Sequence, residues 1–530
     1  MAETLPIVLP PGFFGNGTPY SAAGRYGAGN LMRFVNGFAR PVGGWQRRTD
    51  AEGTPIPPIF DDPELEAARN AISWASNDAA RRMVIGTNLG LYSVSSAGVV
   101  TNITPAGFTG GNKNSQYIVG YGVGRYGREL YGTARTASGV PLDQVANWSF
   151  TLFGEILIAA FRDDGPLYSW TPGDPVAVAI TNAPEDAQGV LVTSERIVMT
   201  IKRQPRLVEW SNSEDFNEWT PEITNTAGSQ VLAGQGELQA IIQVGREILI
   251  LSSEDAWVGR YIGAPFIYGF EPLGQNCGCI APNSVAVAGG RAYWFGRGGM
   301  WTYDGTVRKL DTDIEDWIRG NMSSTEISKM VAVEQPAFRE IWWFFQSADG
   351  TECDKYMALN YAEGHWIWGD LERTTGVPPG TSQTPVYVGA DGALYNHDLP
   401  GVAVPPPNVA FIETGPLELG AGGRQMAVQF FYPDLTPDSV QLDPVTQQAY
   451  GIPSPKELAS DPDTGAQLYI IGQDFPSPAE PERLYGPYSL TRPVPTTGAR
   501  GREIRLRYVG LNARWRVGRN RITVVPMGER

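Results

Sequence analysis

The sequence predicts an all-β protein: a propeller-like body of about seven blades, a C-terminal β-sandwich and an extended N-terminal arm. Three observations lead there. The 530 residues include 15 Trp, 22 Tyr and 20 Phe beside 63 Gly and 42 Pro, a mixture that favours strands and tight turns over helices and is too aromatic for a disordered chain. An apolar run, a Gly or Asp turn and an aromatic-ended strand recur along the chain. A Pro-rich stretch then separates this repeating part from a shorter β-rich remainder.

Residues 1–60 come first and hold no clean period. Pro11-Gly12-Phe13-Phe14-Gly15, Arg25-Tyr26-Gly27 and Pro41-Val42-Gly43-Gly44-Trp45 are rich in turn formers and aromatics. Phe13, Phe14, Tyr20 and Tyr26 need burial, so this arm is expected to pack along the body or on a neighbouring subunit rather than hang free.

The body is expected over 61–398. It opens on a helix signal, with Asp62 as cap, Pro63 in the first turn and Glu64-Leu65-Glu66-Ala67-Ala68-Arg69 continuing it. A second short helix is expected over 312–318. Elsewhere strands and turns dominate. The aromatic marks that end each unit fall at Tyr92, Tyr131, Tyr168, Trp210, Trp257, Tyr303, Tyr356 and Tyr395. Their spacing, near 43 residues, with several strands per unit, is the signature of propeller blades, because a small antiparallel sheet buries both faces only by stacking on its neighbours. An irregular run of hairpins is the alternative.

Residues 399–408, Leu-Pro-Gly-Val-Ala-Val-Pro-Pro-Pro-Asn, carry four prolines and fit neither a helix nor a central strand, so they are read as a linker. Beyond them, 409–530 contains strand patterns at 425–431, 467–471 and 503–509. In the last of these Ile504, Leu506 and Tyr508 alternate with Arg505 and Arg507, which predicts one buried and one polar face.

Charge is unevenly spread. The chain carries 41 Lys+Arg against 56 Asp+Glu, a formal net charge of −15, which disfavours a general nucleic-acid binder. Only six of the cations are Lys, and Arg suits bidentate interface contacts. Residues 500–530 hold nine Arg and two acids, a local +7 that leaves −22 for the rest. Arg500, Arg502, Arg505, Arg507, Arg514, Arg516, Arg519 and Arg521 are therefore candidates for contact with an acidic neighbour or a second subunit, beside Phe13, Phe14, Tyr20 and Tyr26 of the arm. A solvated Arg-lined face is the plainer reading.

Chemistry is sparse. Cys277, Cys279 and Cys353 lack paired zinc-ligand spacing. Gly122-Val123-Gly124-Arg125-Tyr126-Gly127 has the form of a dinucleotide fingerprint but no helix to follow it, so no cofactor is expected. The two histidines, His365 and His397, read as structural, and Asp163-Asp164 and Glu214-Asp215 as turn residues rather than a glycosidase pair. Trp342-Trp343-Phe344-Phe345 reads as core rather than as a sugar platform. No residue is assigned a catalytic role. No apolar stretch is long enough for a membrane span, and the N-terminal residues lack the charged and apolar regions of a signal peptide.

Four segments together resemble the tail hub, or nozzle, proteins of short-tailed bacteriophages, the packaged-DNA stabilisation family. The first is Glu209-Trp210-Ser211-Asn212-Ser213-Glu214-Asp215-Phe216-Asn217-Glu218-Trp219-Thr220. The second is Gly274-Gln275-Asn276-Cys277-Gly278 with Ala281-Pro282-Asn283-Ser284 and Tyr293-Trp294-Phe295-Gly296-Arg297-Gly298-Gly299-Met300-Trp301. The third is Glu413-Thr414-Gly415-Pro416-Leu417-Glu418-Leu419 with Tyr432-Pro433-Asp434. The fourth is Arg500-Gly501-Arg502-Glu503-Ile504-Arg505-Leu506-Arg507 with Trp515-Arg516-Val517-Gly518-Arg519 and Pro526-Met527-Gly528. The resemblance covers about 200–530, and the N-terminal part only loosely.

The resemblance implies a non-enzymatic virion protein, assembled in a host cytoplasm into a hexameric ring below portal and adaptor. Such a ring extends the DNA channel, helps retain the packaged genome and carries fibre, spike or needle proteins. Double-stranded DNA would pass without specific binding, and an acidic chain suits that passage. The competing expectation is a tail-associated propeller that binds or degrades carbohydrate.

Overall fold

The computed structural model describes residues 3–117, 141–162, 165–399, 402, 404–418, 425–437, 466–474, 481–490, 494–510 and 515–527. Seven four-stranded antiparallel sheets make up a β-propeller. From innermost to outermost strand, blade 1 runs from Ala68–Ala75 to Val100–Asn102, blade 2 from Trp148–Phe153 to Val178–Ala179, and blade 3 from Ala187–Val192 to Gly228–Val231. Blade 4 runs from Leu238–Val244 to Ile267–Gln275, blade 5 from Ala286–Ala288 to Val307–Leu310, and blade 6 from Val331–Gln335 to His365–Asp370.

Blade 7 is made from both ends of the propeller sequence. Thr375–Val377, Val386–Val388 and Leu394–Leu399 supply its first three strands, and Gly44–Arg47 adds the fourth, with Tyr395 opposite Arg47 and Asn396 opposite Gln46. The inner strand of blade 7 packs on that of blade 1, so backbone hydrogen bonds between residues some 350 positions apart close the ring. Part of the expected arm is thus a blade strand.

The repeat marks locate the blades well. Tyr92, Tyr168, Trp210, Trp257, Tyr303, Tyr356 and Tyr395 each lie on the third strand of their blade. Tyr131 lies outside the described residues, in the connection between blades 1 and 2. The reason is packing: the third strand buries a large side chain in the blade, as Tyr356 does beside Trp342 of the neighbouring strand, with ring centroids 4.5 Å apart.

Apart from a two-stranded pairing of Gln116–Tyr117 with Pro141–Asp143, the remaining strands among the described residues form three further sheets, and each of these takes strands from the N-terminal segment. Glu3–Pro6 pairs with Arg521–Pro526, which pairs with Met426–Tyr432. Tyr26–Asn30 pairs with Ala410–Thr414, followed by Glu503–Gly510, Ala466–Gln473 and Arg483–Ser489. The hairpin Met32–Val35 with Phe38–Pro41 joins Trp515–Val517 and Leu435–Pro437. A self-contained C-terminal unit over 409–530 and a separate arm over 1–60 are therefore not what the chain builds: the two are one interleaved β-unit. Ile504, Leu506 and Tyr508 are buried as their alternation predicts, and the Tyr508 ring meets Phe431 of the first sheet at 6.5 Å.

The helix expected from Asp62 does not form. Asp62 caps a turn, accepting from Glu64 N at 2.9 Å, and the chain then enters the inner strand of blade 1 at Ala68. Burial of Glu66 and Arg69 in polar networks outweighs the local helix preference. The second expected helix exists, shifted to Glu315–Asn321.

Candidate functional site

The seven inner strands surround an axial cavity of ≈ 430 Å³. Its wall mixes apolar and polar groups: Val190, Ile241, Val285 and Val331 come from different blades, with Asn70, Ser149, Asn283 and Glu334 among them. Inner strands of a propeller alternate side chains like any strand, and β-branched residues fill the narrow axis.

Hydrogen bonds cross the axis where the inner strands begin. Asn283, before blade 5, donates to the carbonyl of Arg69 in blade 1 at 3.2 Å. Asn147, before blade 2, donates to the carbonyl of Ser328, before blade 6, at 3.1 Å. Arg162, after the second strand of blade 2, donates from Nη1 to the carbonyl of Gln239 in blade 4 at 2.7 Å. Ion pairs reinforce this end. Arg69 binds both oxygens of Glu352 at 2.7 and 3.0 Å, and Lys329 Nζ reaches Glu352 at 3.3 Å and Asn114 Oδ1 at 2.7 Å. Burial alone would raise the Glu352 carboxyl, but Arg69, with Lys329, holds it below the usual range. Burial lowers Lys329 despite the same carboxylate. The propeller axis is thus closed at this end by side chains and admits no polymer.

The other sequence-selected residues have structural surroundings. His397 accepts from Arg373 Nε at 2.8 Å and stacks on Trp45 with centroids 4.9 Å apart. His365 packs edge-on against Phe34 at 5.4 Å, and burial depresses it to about 4. Trp342, Trp343, Phe344 and Phe345 are all buried. Glu214 and Asp215 sit in a turn where Asp215 Oδ1 accepts from Asn217 N at 2.9 Å. Asp163, Asp164 and the glycine-rich segment 122–127 lie outside the described residues. Cys277, Cys279 and Cys353 are buried thiols, and burial raises each of them. Among the described residues no group of His, Cys, Asp and Glu is arranged to hold a metal ion, and no helix is long and apolar enough to cross a membrane.

The interface candidates divide. Phe13 and Tyr26 belong to the chain's own core rather than to an outer face: Phe13 is fully buried, with Trp368 at 5.0 Å and Phe34 at 5.8 Å, and Tyr26 lies 5.3 Å from Phe34. Phe14 is half-buried beneath the Arg25 guanidinium, and Tyr20 is exposed at its ring while its hydroxyl donates to Glu503. Arg505 and Arg507 find their acid within the chain: both bind Glu413, and Arg505 also binds Glu482. Arg502 is half-buried, and Arg516 lies 5.8 Å over the Phe38 ring. Arg500, Arg519 and Arg521 are exposed, the last two beside Tyr432 and Thr4 at a surface depression. Arg514 lies outside the described residues. The basic terminus is therefore partly neutralised internally. The sequence analysis missed Glu413 as a partner because it is some 90 residues away, although the facing register with Arg507 follows once the strands are paired.

No protein-family model matches the chain, and no curated protein matches it. Solved structures with a similar arrangement include a catalytically inactive virginiamycin B lyase from Staphylococcus aureus with quinupristin, at 8% identity and TM-score 0.36, covering 63% of this chain and 96% of that one. Another is the β-propeller domain of Cps50 (Swd1) from Myceliophteria thermophila, at 8% identity and TM-score 0.38, covering 63% of this chain and 100% of that one. The chain is a β-propeller with an additional interleaved β-unit.

Proposed function

We propose that this chain is a structural virion protein, a tail hub or nozzle subunit that forms a ring below portal and adaptor and extends the DNA channel. One observation carries the reading: the segments by which the sequence resembles hub proteins are joints of the scaffold. Gly278 lies so close to the Ser252–Glu254 backbone that a Cβ would fall 2.3 Å from Glu254 N, and Trp294 Nε1 donates to Cys277 O at 2.9 Å, which locks blade 5 to blade 4. Glu413 holds Arg505 and Arg507, and Gly415 N donates to Arg25 O at 2.7 Å, tying the third segment to the fourth and to the N-terminal strands. Such joints suit a rigid wall. The closed propeller axis supports a conduit formed between subunits rather than through one of them.

Copy number in purified virions tests this. A hexameric ring on a twelve-fold portal gives half as many copies as portal subunits by quantitative mass spectrometry. A ratio set by trimeric appendages, or absence from virions, overturns it. The carbohydrate reading has one feature in its favour: Tyr261 and Phe266 are exposed, at 45% and 74%, on the outer hairpin of blade 4. Sugar release or glycan binding lost in a Tyr261→Ala, Phe266→Ala variant would establish that alternative.

A further inference from the structure

Arg162 and Arg373 are the two deeply buried guanidinium groups that meet no carboxylate among the described residues. Arg33 meets Glu340 and Asp398, Arg69 meets Glu352, and Arg206 meets Asp255. Arg373, which lacks a carboxylate, donates to His397 and lies over the Tyr395 ring at 4.3 Å. Arg162 is 8% exposed and pairs with no carboxylate among the described residues. Its guanidinium donates to the Gln239 carbonyl, and its Nε, like those of Arg33 and Arg69, is buried without a partner. Burial lowers it to about 9, and Arg203, the charged side chain acting on it, adds repulsion. A buried cation left this way is costly unless an anion completes it.

The surroundings say what kind of anion. Arg162 lines the axial cavity near its closed end, and the wall beyond it carries Val190, Ile241, Val285, Val331 and Val333, with Asn70 and Ser149 as polar interruptions. Glu334, the cavity's carboxylate, stands near the far end of the blade 6 inner strand. An anionic head therefore finds its complement at Arg162, and an apolar tail finds the valine and isoleucine wall. We propose that the axial cavity is a binding site for a small amphipathic carboxylic acid, its carboxylate on the Arg162 guanidinium and its hydrocarbon tail along the propeller axis. This would be a ligand held inside one subunit, independent of how subunits assemble.

Titration calorimetry on the full-length protein with octanoate, 1-octanol and inorganic phosphate tests the site. Octanoate is expected to bind with one-to-one stoichiometry, at least about tenfold more tightly than octanol or phosphate, since a charge-assisted contact distinguishes it from the first and tail burial from the second. Arg162→Met is expected to weaken octanoate about 10- to 100-fold while leaving octanol unchanged. Val287→Phe, which fills the cavity from a partly exposed wall position, keeps the test decisive where Arg162→Met fails to fold: it is expected to abolish octanoate binding with an unchanged melting temperature. Absence of octanoate binding, equal affinity for octanol or phosphate, or full binding by the folded variants overturns the proposal.

Discussion

Arg33 and Asp398 form a two-pronged ion pair, Nη1 to Oδ1 at 2.7 Å and Nη2 to Oδ2 at 2.9 Å, between an N-terminal strand and the end of the third strand of blade 7. Glu340 of blade 6 takes Nη2 as well at 3.0 Å, and the Phe338 ring lies 3.6 Å beneath the guanidinium. Arg33 is 1% exposed, so its removal leaves two buried carboxylates without a cation. Arg33→Met is expected to cost about 3–5 kcal/mol in urea denaturation. A loss below about 1 kcal/mol would show that water or a rearranged neighbour replaces the guanidinium.

Acid should weaken the protein through its histidines. Burial depresses His365 to about 4, and burial together with Arg373 depresses His397. In the unfolded chain both titrate at about 6.5, so below that pH the unfolded state binds more protons and is stabilised relative to the native one. Stability from these groups is therefore complete above about pH 6.5 and falls as pH drops toward 4, by at most about 1.4 kcal/mol per unit for each group. His365→Gln is expected to be less stable near neutrality but to show a shallower loss between about pH 6.5 and 4.5. An unchanged slope would place the acid sensitivity elsewhere.

How far the sequence foretold this structure depended on the range of the forces involved. The blade repeat and third-strand aromatics were legible because each blade is local in sequence, and so was the Ile504, Leu506, Tyr508 face. The closing strand Gly44–Arg47 was not, because its partner Leu394–Leu399 is distant and nothing near Trp45 encodes that pairing. Likewise the Asp62 cap was real, but the helix it announces yielded to tertiary burial of Arg69 against Glu352. The axial cavity and Arg162 left no signal, since an arginine without a carboxylate among the described residues shows itself only when its surroundings are known.

Glu413 should be the more sensitive half of the basic terminal patch. It is 3% exposed and serves Arg505 and Arg507, whose side chains are 22% and 41% exposed. Solvent screening of the arginines reduces the cost of losing the acid, and Glu413→Gln is expected to destabilise by about 1–3 kcal/mol. Arg507→Ala should cost less than Glu413→Gln, because it leaves Arg505 in place. Melting curves of both variants check the order, and the reverse order would show that the Arg507 contact with the Phe411 ring, 5.4 Å away, matters more than its ion pair.

Gly415 and Gly510 make a backbone prediction. A Cβ at Gly415 would stand 1.9 Å from the Ala22 carbonyl oxygen, and one at Gly510 would stand 1.9 Å from Trp515 Nε1. At Gly415 the obstacle is main chain, held by Gly415 N to Arg25 O at 2.7 Å, whereas at Gly510 it is the buried Trp515 indole, which can shift without moving a strand. Gly415→Ala is expected to cost more, about 3 kcal/mol or above, and Gly510→Ala about 1–3 kcal/mol, as for overpacking of a core. Equal effects would mean that the N-terminal strands shift as easily as one indole.

Trp45 tests whether the N-terminal strand closes the propeller or merely lies on it. Its ring is 6% exposed, stacks on His397 and lies 5.2 Å from the Arg373 guanidinium, while its strand supplies the outer edge of blade 7. Trp45→Ala removes that packing but keeps the backbone ladder, so a cost of about 3–5 kcal/mol is expected. Removing residues 1–47 takes the ladder as well, and with it a strand from every sheet of the interleaved unit. If the strand is structural closure, the truncated chain should lose cooperative unfolding altogether, while Trp45→Ala keeps a single transition at a lower midpoint. A truncated chain that still melts in one sharp transition would show that six complete blades and a three-stranded seventh suffice, and the N-terminal segment would then be an accessory layer.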